Sequence, residues 1–270
     1  MKVMIRSDVE GVTGITTYKE AENSELGRAM LMNDLLACIE GLQAGGATEI
    51  IIYDEHTNGR NVNVAMLPEN VSVICGKPHY TPSWGGIDSS FDAMVMVGFH
   101  AKSGVSGALL PHSYSRKNLD IRLNGQSVGE IAMEAAVVAD FDVPVWLVTG
   151  DSAGTEEAKS HIPHVRTVSV KKSFGENEAE CYSATKSVKM IRAAAQNIML
   201  NPPDVKPLKI NGPIQLEIDL VRSDYTNQLQ KKYCDCFIEN SKTFYLQGET
   251  VTEVWSKYLH IQDEVKKSLP

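Results

Sequence analysis

Two hydrophobic textures alternate through residues 1–170. Short apolar runs rich in β-branched residues, at 2–6, 49–53, 93–98 and 143–149, carry too little polar alternation to face water on one side, so they read as strands buried on both faces. Helix-length segments lie between them. Over residues 25–44, Leu31, Leu35, Cys38, Ile39 and Leu42 share one helical stripe, and Gly45-Gly46 follows as a stop. A second helix is expected over 130–140, ending before Pro144. A third opens near Thr155, whose hydroxyl would cap the amide of Glu157 or Ala158, and stops by Pro163. Strand and helix alternating in this way specify a mainly parallel sheet covered by helices on both faces, a three-layer α/β unit. At 119–128 the period changes: strand-like Leu119 to Leu123, the turn pair Asn124-Gly125, then Gln126 to Val128 predict a hairpin outside the parallel sheet.

From Phe174-Gly175 onward the pattern is different. A long helix over 184–200 precedes a break at Pro202, Pro203 and Pro207, a strand follows over 214–220, another strand-like run covers 243–246, and a helix over 251–261 ends the pattern. The expected organisation is therefore an α/β domain at 1–173 with a smaller α+β region at 174–270 packed against it.

Composition narrows the function classes. The 270 residues carry 34 acidic and 26 basic side chains, a net charge of −8, and no block of Lys and Arg, so there is no electrostatic footprint for nucleic acid or an anionic membrane. Arg6 and Asp8 interrupt the first apolar run too early for a signal peptide, and no later run approaches the roughly 20 apolar residues of a membrane span. A cytoplasmic location is expected. Five cysteines (Cys38, Cys75, Cys181, Cys234, Cys236) are read as free, mostly buried thiols; Cys234-x-Cys236 lacks the second ligand pair of a structural zinc site.

The chemistry sits where strands end, because ligands of open α/β sheets collect at the carboxyl ends of the strands. The first strand delivers Ser7-Asp8-Val9-Glu10-Gly11, the second Asp54-Glu55-His56, the third Gly98-Phe99-His100 and the fourth Gly150-Asp151. Continued strand conformation through Asp8 and Glu10 would project both carboxylates from one side, and like charges held that close need a compensating cation. Adding His56, His100 and Glu130 gives a mixed oxygen and nitrogen set suited to zinc, sufficient for two ions sharing a bridging carboxylate. Taken singly, each has a plainer role: a turn cap for Asp8, a hydrogen-bonded structural histidine for His56 or His100, a helix-dipole partner for Glu130. Their coincidence on one rim points to a metal site. His112 follows a Gly- and Ser-rich loop, 103–107, and reads either as an acid or base able to swing over the site or as a loop histidine bonded to backbone. Ser113 beside it does not make a Ser-His pair, since neighbours in sequence rarely align nucleophile and base. His79, His161, His164 and His260 receive no function, no glycine pattern marks a nucleotide cofactor, and Trp84 with Gly85-Gly86 lines either a pocket or an interface, or anchors a loop.

In order and spacing, Ser7-Asp8-Val9-Glu10-Gly11, Asp54-Glu55-His56, Gly98-Phe99-His100-Ala101, Pro111-His112-Ser113 and Asn124 to Glu130 resemble the D-aminopeptidase family, peptidase family M55. The similarity continues through Asp142 to Val145, Thr149-Gly150-Asp151, Ile162-Pro163 and Val168 to Lys172, and is loose over the last third. The resemblance implies a dinuclear zinc aminopeptidase with two Zn2+ per subunit. By it the bridging aspartate is Asp8, the further ligands are Glu10, His56, His100 and Glu130, and the catalytic histidine is His112. Glu55 stands where a small residue is expected, and Pro111 precedes His112, which bears on the shape of the substrate pocket. The resemblance also implies a ring-stacked homodecamer acting on short peptides with N-terminal D-amino acids such as D-Ala. The alternatives are another metallo-amidase or L-specific peptidase using the same site, and a non-enzymatic peptide-binding protein for dipeptide uptake.

Overall fold

The computed structural model describes residues 1–22, 24–77, 86–239 and 241–268. The first half of the chain contributes strands β1 (Lys2–Ser7), β2 (Glu49–Asp54), β3 (Val71–Ile74), β4 (Ala93–Phe99), β5 (Asn118–Leu123) and β6 (Gln126–Ser127), with helices α1 (Tyr18–Ala21), α2 (Glu25–Ala44) and α3 (Glu130–Ala139). The second half adds β7 (Val145–Asp151), β8 (Arg166–Gly175), β9 (Glu178–Cys181), β10 (Ile214–Leu220) and β11 (Thr243–Gly248), with α4 (Ser152–His161), α5 (Ala184–Leu200), α6 (Asp224–Lys232) and α7 (Val251–Ser268).

The apolar runs form the centre of a seven-stranded sheet ordered β3-β2-β1-β4-β7-β8-β9. It is parallel throughout except for the edge strand β9. Every residue of β4 and β7 is buried, as strands covered on both faces require. From β1 the chain builds outward to β2 and β3, then restarts on the other side at β4 and builds towards β8. With right-handed crossovers, that reversal places α2 on one face and α3 and α4 on the other, while α5 packs on α2. Leu31, Leu35, Cys38, Ile39 and Leu42 of α2 are all fully buried, each apolar side chain contributing about 1.5–3 kcal/mol relative to exposure. Where the strand order reverses, between β1 and β4, the sheet opens a crevice at its carboxyl edge.

A second, antiparallel sheet, β11-β10-β5-β6, uses the hairpin at Asn124-Gly125, whose φ values of 49° and 78° give the left-handed turn that Asn-Gly favours. Helix α7 packs on this sheet and against α3, with Trp255 and Tyr258 fully buried. The boundary expected at 173/174 falls inside β8, and pairing crosses it both ways: β9 completes the first sheet, while β10 takes β5 as a neighbour.

Several local expectations change. Helix α4 is capped by Asp151, whose carboxylate accepts from the Gly154 amide at 2.9 Å, because β7 runs straight into it. Thr155 instead donates to the Ser152 carbonyl and meets the Ser169 hydroxyl. Of the five thiols only Cys38 is buried; Cys75, Cys181 and Cys234 are exposed and Cys236 half-buried, since apolar neighbours in sequence do not guarantee burial at strand ends and turns. Helix α7 continues well past the expected end. Trp84, Gly85 and His79 lie outside the described residues, and no helix among those described is long and apolar enough to cross a membrane.

Gly98 combines a positive φ with a close backbone approach at the crevice. Its φ is +83°, and a Cβ there would lie 2.1 Å from the Asp8 carbonyl oxygen. Gly98→Ala is expected to destabilise the fold by about 2 kcal/mol or more, from left-handed strain plus a backbone clash. Urea unfolding measures it; a wild-type midpoint would contradict the account.

Candidate metal centre

Asp8 and Glu10 reach the crevice by a turn, not by continuing the strand. β1 ends at Ser7, the Asp8 amide still donates to the Val97 carbonyl at 2.9 Å, and the Gly11 amide donates to the Gly98 carbonyl at 2.7 Å. A Cβ on Gly11 would fall 2.0 Å from the Phe99 carbonyl oxygen, so only glycine lets this turn lie against the end of β4. The bend turns both carboxylates towards one imidazole: His56 Nδ1 stands 2.9 Å from Asp8 Oδ1 and 3.0 Å from Glu10 Oε2. The other oxygen of Asp8, Oδ2, lies 3.4 Å from His100 Nε2, which is 3.2 Å from Glu130 Oε1. Asp8 therefore stands between two donor groups and offers one oxygen to each.

All three imidazoles of the cluster are oriented alike. His56 donates from Nε2 to the Ala21 carbonyl at 3.1 Å, His100 from Nδ1 to the Ala101 carbonyl at 2.9 Å, and His112 from Nδ1 to the Leu110 carbonyl at 3.1 Å. One nitrogen of each ring is held by backbone and the other faces the carboxylates, the arrangement that fixes tautomer and direction in metal-bound histidines. His112 Nε2 is 3.7 Å from Glu10 Oε1 and 3.8 Å from Glu130 Oε1, and its ring stacks on His100 at 4.1 Å between centroids, 5° from parallel. The residues that lead into it, Ala108, Leu109 and Leu110, are buried. The Ser113 hydroxyl accepts from the Ser103 amide at 3.2 Å, and the two ring nitrogens of His112 face the Leu110 carbonyl and the Glu10 and Glu130 carboxylates.

The electrostatics demand positive charge here. Burial alone would favour neutral His56, but Glu10 and Asp8 outweigh it and raise the imidazole to about 10. Burial likewise opposes charge on His100, and attraction to Glu130 and Asp8 lifts it well above its ordinary value. Asp8 and Glu130 are raised by burial and lowered more by their histidines, so both stay ionised. Asp8 Oδ2, Glu10 Oε2 and His100 Nε2 are buried without a well-formed hydrogen bond. Carboxylate oxygens and imidazole nitrogens directed at one another without hydrogen bonds fit a divalent cation of zinc's type. Two overlapping donor groups meet the spacing, Asp8 with Glu10 and His100, and His100 with His112 and Glu130.

Behind the cluster lie residues that sequence reading missed. The Lys171 ammonium, fully buried on β8, donates to the carbonyls of Glu10 at 2.6 Å and Val12 at 2.8 Å, and to that of Ile15, so a side chain holds the turn that carries Glu10. Burial pulls Lys171 down to about 8 against attraction from Asp151. Arg6, equally buried, sits 3.3 Å from both Glu55 and Glu134 and stacks on Tyr53. Tyr114, at a φ of 58° that is rare for an aromatic residue, donates its amide to Glu130 and its hydroxyl to Glu134, each at 2.6 Å. Glu157 accepts from the Lys102 amide at 2.7 Å and is raised by burial to about 7. An ionisable residue inside an otherwise apolar strand was the available signal for Arg6; Lys171 lies in a strand of mixed polarity, next to Lys172, and gave no such signal.

A cleft of about 610 Å³ opens over the cluster. Asp8, Glu10, His56, His112 and Glu130 line its floor together with Arg6 and Glu55, and Trp255 and Leu259 of α7 form part of its wall. Glu55 is thus a cleft residue bound to Arg6, and its bulk narrows the space beside His56.

The sequence model of peptidase family M55, D-aminopeptidase, matches residues 1–257. A D-aminopeptidase of Bacillus subtilis (strain 168) is 29% identical over 212 residues, 77% of each chain. The solved structure of the Zn-dependent D-aminopeptidase DppA from Bacillus subtilis, described as a self-compartmentalizing protease, superposes with a TM-score of 0.89 at 24% identity over 98% of both chains.

Replacing Lys171 by Met would leave three buried carbonyls unsatisfied, at about 1–3 kcal/mol each. The expected outcome is a lowered melting temperature together with divalent-ion affinity reduced by roughly tenfold or more in chelator competition. Wild-type values for both would remove Lys171 from the support of the site.

Proposed function

The chain belongs to the D-aminopeptidase family, and from that premise we propose that it is a zinc-dependent aminopeptidase hydrolysing short peptides with N-terminal D-amino acids such as D-Ala. The observation that carries the reading is the convergence of three carboxylates and three backbone-held imidazoles in one cluster, all but His100 lining the cleft. Asp8, Glu10, His56, His100 and Glu130 would hold two ions, with Asp8 shared because its two oxygens face different histidines. The zinc dependence of the similar Bacillus subtilis enzyme supports the choice of metal.

Bound divalent ions supply a water acidified towards neutrality and polarise the scissile carbonyl. The chain's own groups do the rest. Glu130 is held by the Tyr114 amide and Glu10 by the turn that Lys171 ties down, so neither carboxylate has to reorganise during reaction. His112 is the most exposed member of the cluster, and its Nε2 points into the cleft while Nδ1 stays on the Leu110 carbonyl. That geometry suits Nε2 to take a proton from the attacking water as its oxygen bonds to the carbonyl carbon, and to pass that proton to the departing amine as the C–N bond breaks. Stacking on His100 fixes the direction of transfer.

The self-compartmentalizing character of the same relative supports assembly of this chain into a homo-oligomer, a ring-stacked decamer with active sites facing an enclosed chamber, acting in the cytoplasm. Light scattering on the purified protein is expected to give a mass near ten times the 29.6 kDa of one chain; a monomer would reject the assembly.

His112→Ala is expected to abolish turnover with metal content near wild type. Loss of metal in that variant would make His112 a ligand instead. Hydrolysis of D-Ala-D-Ala and L-Ala-L-Ala, before and after chelation and with zinc restored, tests the activity. Chelator-sensitive cleavage of the D,D peptide in preference is the expected result. Preference for the L,L peptide would assign an L-specific enzyme of the same chemistry, and no chelator-sensitive cleavage of either would overturn the proposal.

A further inference from the structure

The hydrogen bond that orients the His112 ring is local: Nδ1 donates to the Leu110 carbonyl, two residues earlier in the same loop. It fixes the ring relative to the loop, not relative to the cluster. On the cluster side Nε2 lies 3.7 Å and 3.8 Å from the Glu10 and Glu130 carboxylates, beyond hydrogen-bond distance. The loop backbone is tied by the His112 amide to the Ala101 carbonyl at 3.4 Å, and by the Asn177 amide, between β8 and β9, to the Leu109 carbonyl at 3.1 Å. The aim of the imidazole therefore depends on the rings against it. His100 stacks on one face, and a second ring, that of Tyr18 at the start of α1, meets it edge to face.

The centroids of Tyr18 and His112 are 5.6 Å apart and their planes 77° apart, a favourable geometry for an aromatic pair. The Tyr18 hydroxyl donates to the Pro111 carbonyl at 3.3 Å, one residue before His112. Tyr18 is itself well anchored. The Thr17 hydroxyl accepts from the Glu20 amide and the Glu20 carboxylate from the Thr17 amide, a capping box that fixes the first turn of α1. On the solvent side the Arg116 guanidinium covers the Tyr18 ring at 4.8 Å and stands 3.8 Å from Glu22. The same short helix supplies the Ala21 carbonyl that holds His56. Tyr18, Glu22, His112 and Arg116 all line the cleft.

We propose that Tyr18 is a positioning residue for His112, acting through the contact of its ring and, secondarily, through its hydroxyl bond to Pro111. This rests on the reading of His112 as the proton-transfer group of an aminopeptidase. Tyr18 belongs to the segment after β1 and His112 to the loop after β4, so the contact sets one segment against the other. A misplacement of about 1 Å at a reacting group costs roughly a hundredfold in rate. A contact that is modest in stability is then large in turnover.

The test measures kcat, KM and bound metal for the wild type, Tyr18→Phe and Tyr18→Leu, with His112→Ala as control, on Ala-Ala in whichever configuration the enzyme turns over. Tyr18→Leu removes ring and hydroxyl together and is expected to lower kcat by roughly ten- to hundredfold, with metal content at wild type. Its KM should change by less than about threefold, since the loss falls on the reacting geometry and not on uniform binding. Tyr18→Phe keeps the edge contact and should recover all but severalfold of kcat. A wild-type kcat in Tyr18→Leu, or a rise in KM alone, overturns the positioning role and leaves Tyr18 as cleft wall. Loss of metal in Tyr18→Leu overturns it by giving Tyr18 a structural role. A Tyr18→Phe as slow as Tyr18→Leu overturns the ring contact on which the proposal rests. Turnover at the wild-type rate by His112→Ala overturns the reading of His112 instead, and absence of metal-dependent turnover in the wild type overturns the aminopeptidase reading.

Discussion

Three buried carboxylates forced together at the end of one strand pair are the constraint on which the rest of this molecule depends. Like charges about 4 Å apart repel by about 4 kcal/mol at an effective dielectric near 20, and burial adds to that penalty. Asp8, Glu10 and Glu130 are nonetheless held within a few ångströms of shared histidines. Such an arrangement is stable only with positive charge at its centre. The histidines can supply it as bound protons, and divalent ions supply more of it in less space. On the far side of each ring a backbone carbonyl takes the second nitrogen and leaves the first to face inward, an orientation that metal-bound histidines share.

The fold serves this constraint by its topology. The reversal of strand order between β1 and β4 brings the turn after β1 against the end of β4, and glycines at positions 11 and 98 allow backbone to touch backbone there. Lys171, from β8, binds the same turn from below through three carbonyls. Tyr114 couples Glu130 to Glu134, and so to the Arg6 pair, while its ring packs 4.6 Å from Trp255 of α7. The helix that packs on the second sheet is therefore part of the site: Trp255 and Leu259 of α7 form part of the cleft wall.

Much of this was legible in the residues. Buried parallel strands announce themselves as unbroken apolar runs, and the polar residues that end them, Asp8, His56 and His100, are conspicuous because they follow such runs. Helices α2, α5 and the hairpin at Asn124-Gly125 were equally plain, since their signals are local. The turn at Glu10 was not, because its shape is set by Gly98, far away in sequence. Nor was the role of Lys171, which is defined by carbonyls more than a hundred residues earlier. The interleaving of the two sheets also escaped a linear reading, because strand pairing between β5 and β10 depends on neither segment alone. Exposure of Cys75 failed for a related reason: apolar neighbours along the chain say little about what covers a residue at the end of a strand.

Metal stoichiometry tests the central claim most directly. Protein reconstituted with zinc and freed of excess should carry about two ions per chain by elemental analysis, the number that the proposed sharing of Asp8 between two ions requires. Asp8→Asn, which keeps the size of the side chain and removes its charge, should lose both ions together while the fold persists. Retention of wild-type metal content in Asp8→Asn, or failure of the wild type to take up stoichiometric metal, would contradict the account.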